Sequence, residues 1–302
     1  MMFPMRIAVF SCLGLGDGLI ALVLSHNLAI NGHEVTTYHP SLKGLQRWFP
    51  RLPIEGFPEA MPKVDRAFIF YEKTPWMQKM MEGAGPEAVI LNPIATLKND
   101  YAYWENGRFQ GDRCMVDNIE VFCRDVLRLD RVTKSNGIVV PEGVVPRKYP
   151  QRVVIHPTSS RPGKNWSPQK FIALAHRLQK LGLEPVFILT PQEREGWEGV
   201  QAPEFRSLDE VAMFVCESGA MIGNDSGIGH LAACLGLPTV TICRNLLAGY
   251  FWRPGWGKNV LVTPSQWVPN LKGLRWRDKY WQYWISVDKV MYQFSHFFDL
   301  RS

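Results

Sequence analysis

The stretch Met221-Ile222-Gly223-Asn224-Asp225-Ser226-Gly227-Ile228-Gly229-His230-Leu231-Ala232-Ala233 limits what this chain can become. The apolar run Gly219 to Ile222 reads as the end of a buried strand, Gly223 to Gly227 as a small polar turn. A helix then carries Ile228, Leu231, Ala232 and Leu235 on one side and stops at Gly236, with Pro238 beyond. Strand, glycine-rich turn, helix aims unpaired backbone N–H groups and the positive end of a helix dipole at an anion. Asp225 and Ser226 are also good N-cap residues, so a plain capped helix is the competing reading.

The same grammar recurs. Met5 to Ser11 is a continuous apolar strand, Cys12 to Gly18 a glycine-rich turn, Leu19 to Ile30 a helix and Glu34 to Tyr38 a second strand, which makes a βαβ opening. Its glycines Gly14, Gly16 and Gly18 are spaced G-x-G-x-G rather than as a dinucleotide fingerprint. Tyr38-His39 stands where an acidic ribose ligand would be needed. Asp17, inside that turn, would repel a phosphate and needs another role. Ala67–Tyr71, Ala88–Leu91 and Ile138–Val140 are further strand candidates, Val116–Leu129 a helix, and residues 93–113 a long loop. After the proline-bounded segment Pro141–Pro150, Arg152–His156 opens a second series. It continues with the hydroxyl-rich loop Pro157–Trp166, a helix capped by Ser167-Pro168 and running to Lys180, the strand Pro185–Leu189, the helix Leu208–Cys216 and the strand Thr239–Cys243. The expected fold is α/β, two facing Rossmann-like doubly wound domains with a cleft between them. Residues 1–148 form the first domain, 149–285 the second, and 286–302 a C-terminal helix that packs back on the first.

Composition narrows the function. With 302 residues and 46% apolar content, both domains have a core. A formal charge of +6 without any long Lys/Arg run favours an acidic small molecule or an anionic surface over nucleic acid. The six cysteines form no C-x-x-C pair and read as reduced thiols of a cytoplasmic protein, with no zinc site. No apolar run approaches the ~20 residues of a transmembrane helix, and Met1 to Phe10 is too short for a secretory signal. Beyond Arg244 the chain turns aromatic, from Tyr250 to Trp284, with basic residues interleaved. Docking on the core is the expected role, with a membrane interface or base stacking as alternatives.

Asp17, Ser159, Ser160, Lys164, Asp225, Ser226, Gly227 and His230 are the candidate site residues. Lys164 suits a diphosphate, Ser159 and Ser160 can donate to phosphate oxygens, and the helix start at Ser226-Gly227 adds donors. Such a site stabilises a departing nucleoside diphosphate, while Asp17 can accept a proton from an attacking hydroxyl. No D-x-D motif offers a metal ligand for the diphosphate. Leu13-Gly14-Leu15-Gly16-Asp17, His156-Pro157-Thr158-Ser159-Ser160 with Lys164-Asn165-Trp166, and Asn224–Ala233 together resemble, in order, three motifs of glycosyltransferase family 9, the lipopolysaccharide heptosyltransferases.

The resemblance implies a GT-B fold and an inverting, metal-independent transferase without a cofactor. Asp17 would be the base, Lys164 would sit on the diphosphate, the Ser226-Gly227 amides and His230 on phosphates, and Glu193 or Glu195 on the ribose. A helix start or a core histidine are the competing roles for the glutamates and His230. Gly14, Gly16 and Gly18 would shape the acceptor loop. The donor implied is a nucleoside-diphosphate sugar, ADP-heptose first. The acceptor is an anionic or lipid-linked glycan met at the cytoplasmic face of the inner membrane; Lys43, Arg47, Arg51, Lys73, Lys98 and Arg113 are candidate contacts, with a solvated surface role as the default for each. Another sugar, a protein acceptor, or a catalytically silent nucleotide-sugar-binding or scaffolding paralogue are the alternatives. Two positions depart from the family pattern: Gly18, where an apolar residue is usual, and Arg244-Asn245-Leu246-Leu247, where Gly-Pro-Thr is usual.

Overall fold

Continuous apolar strands such as Ile7–Phe10 and Val153–Ile155 have no polar face to leave in water, so each half of the chain buries its strands in one parallel sheet. The computed structural model describes residues 4–85, 88–93, 109–270 and 274–298. The chain divides into two compact units, Met1–Pro141 and Glu142–Ser302. Lys98 and most of the expected loop 93–113 lie outside the described residues.

In the first unit the order is β1 (Arg6–Phe10), α1 (Leu15–Ile30), β2 (Glu34–Tyr38), a 3-10 turn at Leu42–Trp48, β3 (Ile54–Glu55), β4 (Arg66–Phe70), α2 (Pro75–Gly83), β5 (Ala88–Leu91) and α3 (Met115–Val121), which widens into a π-turn over Phe122–Val126. The strands lie β3-β2-β1-β4-β5, all parallel. α1 begins at Leu15 with Gly14 as N-cap, not at Leu19, so the expected turn shrinks to Cys12–Gly14 and Asp17 enters the first helical turn. A carboxylate there is favoured by the helix dipole. α1 is buried nearly all round, and its polar residues are matched accordingly. Ser25 meets Thr37 at 2.7 Å, and Asn27 exchanges two 2.7 Å bonds with the Thr133 backbone. Asn31 does the same with Arg131 at 2.6 and 3.0 Å. Ile138–Val140 is not a strand: Val139 N–H makes a single loop bond to the Trp48 carbonyl at 2.8 Å.

The second unit runs β6 (Tyr149–His156), α4 (Pro168–Lys180), β7 (Glu184–Phe187), α5 (Leu208–Cys216), β8 (Ser218–Asn224), α6 (Gly227–Cys234), β9 (Thr239–Ile242), α7 (Leu246–Trp252), β10 (Asn259–Val262), α8 (Trp276–Lys279) and α9 (Val287–Phe297). Its strands lie β10-β9-β8-β6-β7, again parallel. Alternate strand residues go to opposite faces. Val153, Ile155 and Ile222 pack with Phe171, Leu174 and Leu178 of α4 on one side. Val154 and Met221 pack with Val215 of α5 and Ala232 of α6 on the other. α9 buries Val290 and Phe294 in the first of these clusters. The apolar face that the sequence suggests for docking on the first domain is thus taken up within the second unit.

Two edges are worth noting. β3, at one border of the first sheet, is only two residues long. β7, at a border of the second, contains Pro185, and its Phe187 N–H goes to the Gln201 carbonyl at 2.7 Å. In each sheet the winding direction reverses once, between β1 and β4 and between β6 and β8. In open parallel sheets such reversals open a crevice at the carboxyl ends of the strands, where ligands bind.

Candidate functional site

At the reversal point of the second unit, the loops after β6 and β8 are stitched together by side chains. The amide oxygen of Asn224 accepts from Trp166 N–H at 3.0 Å, and its amide nitrogen donates to the Pro157 carbonyl. Lys164 Nζ donates to Asp225 Oδ2 at 2.9 Å. His156 Nδ1 lies 2.9 Å from Ser226 Oγ. A side chain at position 223 would not fit, because its Cβ would stand 2.5 Å from the His156 carbonyl oxygen. Gly223 is what lets β8 end against β6.

These bonds change the reading of the helix start. Ser226 holds the N-cap position of α6, but no side chain caps the helix. The Asp225 side chain goes to Lys164 and that of Ser226 to His156, so the first-turn amides of α6, at the carboxyl edge of the sheet, have no side-chain cap. The ion pair is weak: the Lys164 and Asp225 side chains are 43% and 20% exposed. Pairs of that kind contribute about 0–1 kcal/mol, so Lys164 can turn to an incoming anion at little cost.

A chain of polar contacts continues from Ser226 to the loop after β7. His156 Nε2 is 3.4 Å from Thr158 Oγ1, and the Thr158 hydroxyl bonds the Glu193 carboxylate. Thr158 then donates to Glu193 and accepts from His156 Nε2–H, which leaves His156 Nδ1 to accept the Ser226 proton. The Ser226 hydroxyl has therefore spent its proton, and only backbone N–H remains there for a phosphate. Burial drives the His156 pKa down to about 4, with the nearby Glu193 opposing, so the imidazole is neutral. Burial pushes the Glu193 carboxyl up, but bonds from Thr158 and Thr190 outweigh it and hold the group below its ordinary value. Glu193 also closes a capping box with Thr190, whose N–H it accepts at 2.8 Å. It is a half-buried part of the loop architecture, whereas Glu195 is exposed.

Ser159 and Ser160 differ. The Ser159 hydroxyl lies 2.7 Å from the Asn165 amide oxygen and 3.0 Å from the Arg161 carbonyl, so its proton is used within the loop. Ser160 is exposed. His230 is buried: one ring nitrogen bonds the Trp252 carbonyl, while Nδ1 has no hydrogen-bond partner. Burial lowers its pKa, Asp225 opposes and Lys164 adds to the effect.

In the first unit, the β1–α1 loop is clamped from both sides. His39, fully buried at the end of β2, donates from Nε2 to the Gly14 carbonyl at 3.1 Å, and its Nδ1 accepts from Ser41 and Leu42 N–H, each at 3.1 Å. Beyond β4, the Glu72 carboxylate accepts Leu13 N–H at 2.8 Å. Asp17 folds its carboxylate over Gly14, where any Cβ would collide with it. Gly16 and Gly18 are buried in the first turn of α1. Of the basic residues expected to meet an acceptor, Lys43 pairs with Glu55 at 2.7 Å, while Arg51 and Lys73 are exposed. Sequence reasoning missed His39, Glu72 and Asn224 as organising residues. The only signal for them was their place at strand ends.

Residues 144–265 match the model of glycosyltransferase family 9 (heptosyltransferase). Among solved structures, the chain is similar to a family 9 glycosyl transferase of Veillonella parvula (15% identity, 98% of this chain and 98% of that one, TM-score 0.69). It is also similar to the E. coli heptosyltransferase WaaC with ADP (15% identity, 97% and 100% covered, TM-score 0.68). A third is the E. coli ADP-heptose LPS heptosyltransferase II (15% identity, 97% and 98% covered, TM-score 0.68). At that identity the likeness establishes the shared GT-B architecture. No curated protein sequence matches the chain.

Proposed function

We propose, from the match of residues 144–265 to the glycosyltransferase family 9 model, that the chain moves a sugar from a nucleoside diphosphate to an acceptor hydroxyl, inverting the anomeric centre without a metal ion. The acceptor oxygen bonds to the anomeric carbon while its proton passes to Asp17. The bond from that carbon to the diphosphate breaks, and the electron pair leaves with the phosphate oxygen. Charge develops on the leaving group, and donors aimed at that place lower the barrier. The observation that carries this reading is the cross-linked pair of loops at the β6–β8 reversal. It sets Lys164, held only by a weak exposed pair, beside the uncapped first turn of α6. That positive charge replaces a metal. Phosphates meet the Ser226 and Gly227 amides, His230 offers its unpartnered Nδ1, and Ser160 supplies the solvent-facing hydroxyl. Glu193, oriented by Thr158 and Thr190, has remaining lone pairs for a ribose. Asp17 acts from the acceptor side, on a loop set by Gly14, Gly16 and Gly18.

Heptose or a related sugar is the group transferred, and ADP-heptose is the first donor to test, since solved relatives carry ADP or ADP-2-deoxy-2-fluoro heptose. The acceptor is a lipopolysaccharide-type glycan reached at the cytoplasmic face of the inner membrane. The test follows ADP release and glycan mass with an inner-core acceptor. Asp17→Asn is expected to cut kcat by about 10²–10⁴-fold while donor affinity stays within two-fold, and Lys164→Ala to weaken both. Transfer at full rate by Asp17→Asn would remove the base assignment. A protein that binds no nucleotide sugar would be a scaffold.

A further inference from the structure

The aromatic stretch beyond Arg244 does not all dock on the core, as its sequence suggests. Phe251 and Trp281 are buried, but Trp267 is 95% exposed, Tyr283 76% and Trp276 51%. The segments that carry them lie side by side. Arg277 N–H donates to the Pro269 carbonyl at 3.2 Å, and its guanidinium donates to the Gln266 carbonyl at 3.3 Å, which holds the Trp267 segment beside α8. Trp276 and Tyr280 line one open hollow of about 330 Å³ together with Arg275 and Lys279. The Tyr280 and Tyr283 rings stand 6.3 Å apart. Lys279 Nζ sits 5.1 Å over the Tyr280 ring. The single acid between residues 264 and 284 is Asp278; it is buried, with its carboxylate on Arg275 at 2.6 Å. Within this segment the exposed side chains are therefore rings and cations, with no exposed acid among them.

We propose that the face bearing Trp267, Trp276, Tyr280 and Tyr283, with Arg277 and Lys279, docks on an anionic lipid bilayer. Tryptophan and tyrosine have an apolar body and one polar tip, which matches the headgroup layer of a membrane. Lysine and arginine beside them are drawn to anionic headgroups, and the snorkelling stems add apolar contact. An adjoining cavity of about 220 Å³ shares Arg277 and adds Arg244 and Leu247, so the basic and apolar character extends outward. Single-stranded nucleic acid would call for cations that track a backbone, and the basic residues of this chain are scattered. The proposal deepens the transferase reading by saying where a lipid-linked acceptor is met. Vesicle binding needs neither donor nor transfer, so either reading can fail without the other.

The test is co-sedimentation of the full chain with vesicles of phosphatidylcholine alone, or mixed with phosphatidylglycerol, with tryptophan emission read in parallel. Binding is expected only to the mixed vesicles, with a blue-shifted emission, and it should weaken as salt rises. Lys279→Ala should reduce partitioning about five-fold. Trp267→Ala with Tyr283→Ala should abolish it; both side chains are exposed, so the circular dichroism of the variant should match the parent. Equal binding to neutral vesicles, no binding, or full binding by the double variant would overturn the proposal. So would tighter binding to a single-stranded oligonucleotide, or a concentration-dependent dimer that shields Trp267.

Discussion

Gly18 and His39 compete for one space. A Cβ on Gly18 would lie 2.5 Å from His39 Cδ2 and 2.6 Å from Leu42 Cδ1, and His39 cannot retreat because both ring nitrogens are bonded to backbone. This explains why the chain departs from the apolar residue that the family resemblance leads one to expect there. Gly18→Ala should destabilise the protein by about 1–3 kcal/mol, the usual range for overpacking. Urea unfolding checks it, and unchanged stability would show that the ring has room. The sequence displays His39 only as a missing ribose acid. Its real partners, Gly14, Ser41 and Leu42, come from two separate turns that meet only once β1 and β2 pair.

Among elements, the motif Asn224–Ala233 shows which parts of a site can be read from local pattern. Its strand, turn and helix follow from the spacing of apolar residues and glycine, and so do most strands and helices of both units. Their ends are less legible: Gly223 and Asn224 extend β8, and α1 takes in four residues expected in the turn, Leu15 to Gly18. The sequence leaves a capping role open for Asp225 and Ser226 because cap chemistry is local, whereas their partners Lys164 and His156 come from another strand end and loop. Asn224 makes the difference measurable. Asn224→Ala strands the buried Trp166 N–H and Pro157 carbonyl, an expected loss of about 2–4 kcal/mol. Ser207→Ala removes an ordinary cap bond to Glu210 N–H at 3.2 Å, an expected loss of about 1 kcal/mol. Equal losses in chemical denaturation would mean that Asn224 does not cross-link the loops.

Over the whole molecule, burial lowers the pKa of His26, His33, His39, His156 and His230. An unfolded chain binds protons at these histidines that the folded one refuses. Their contribution is therefore complete above the unfolded value of 6.5, and it is lost as pH falls toward the folded value, about 4 for His156. His156 alone should account for about 3 kcal/mol over that window. Unfolding free energies measured along it should fall with pH, and His156→Asn should flatten the slope; a slope unchanged by that variant would assign the loss elsewhere. At this scale the sequence shows two βα series and two parallel sheets. It does not show that the first is ordered β3-β2-β1-β4-β5 and the second β10-β9-β8-β6-β7. Strand order depends on which side of the sheet each crossover takes, and no short-range pattern encodes that.

The borders of those sheets have a consequence for a chain so rich in apolar strands. An open strand edge recruits neighbouring chains into intermolecular sheets. Here one border ends in the two-residue β3. On another, the outward positions of β7 hold a proline, which has no N–H to offer, and Phe187, whose N–H is already taken by Gln201. A second molecule meeting either border finds no ladder to continue, so these edges resist aggregation even in crowded surroundings.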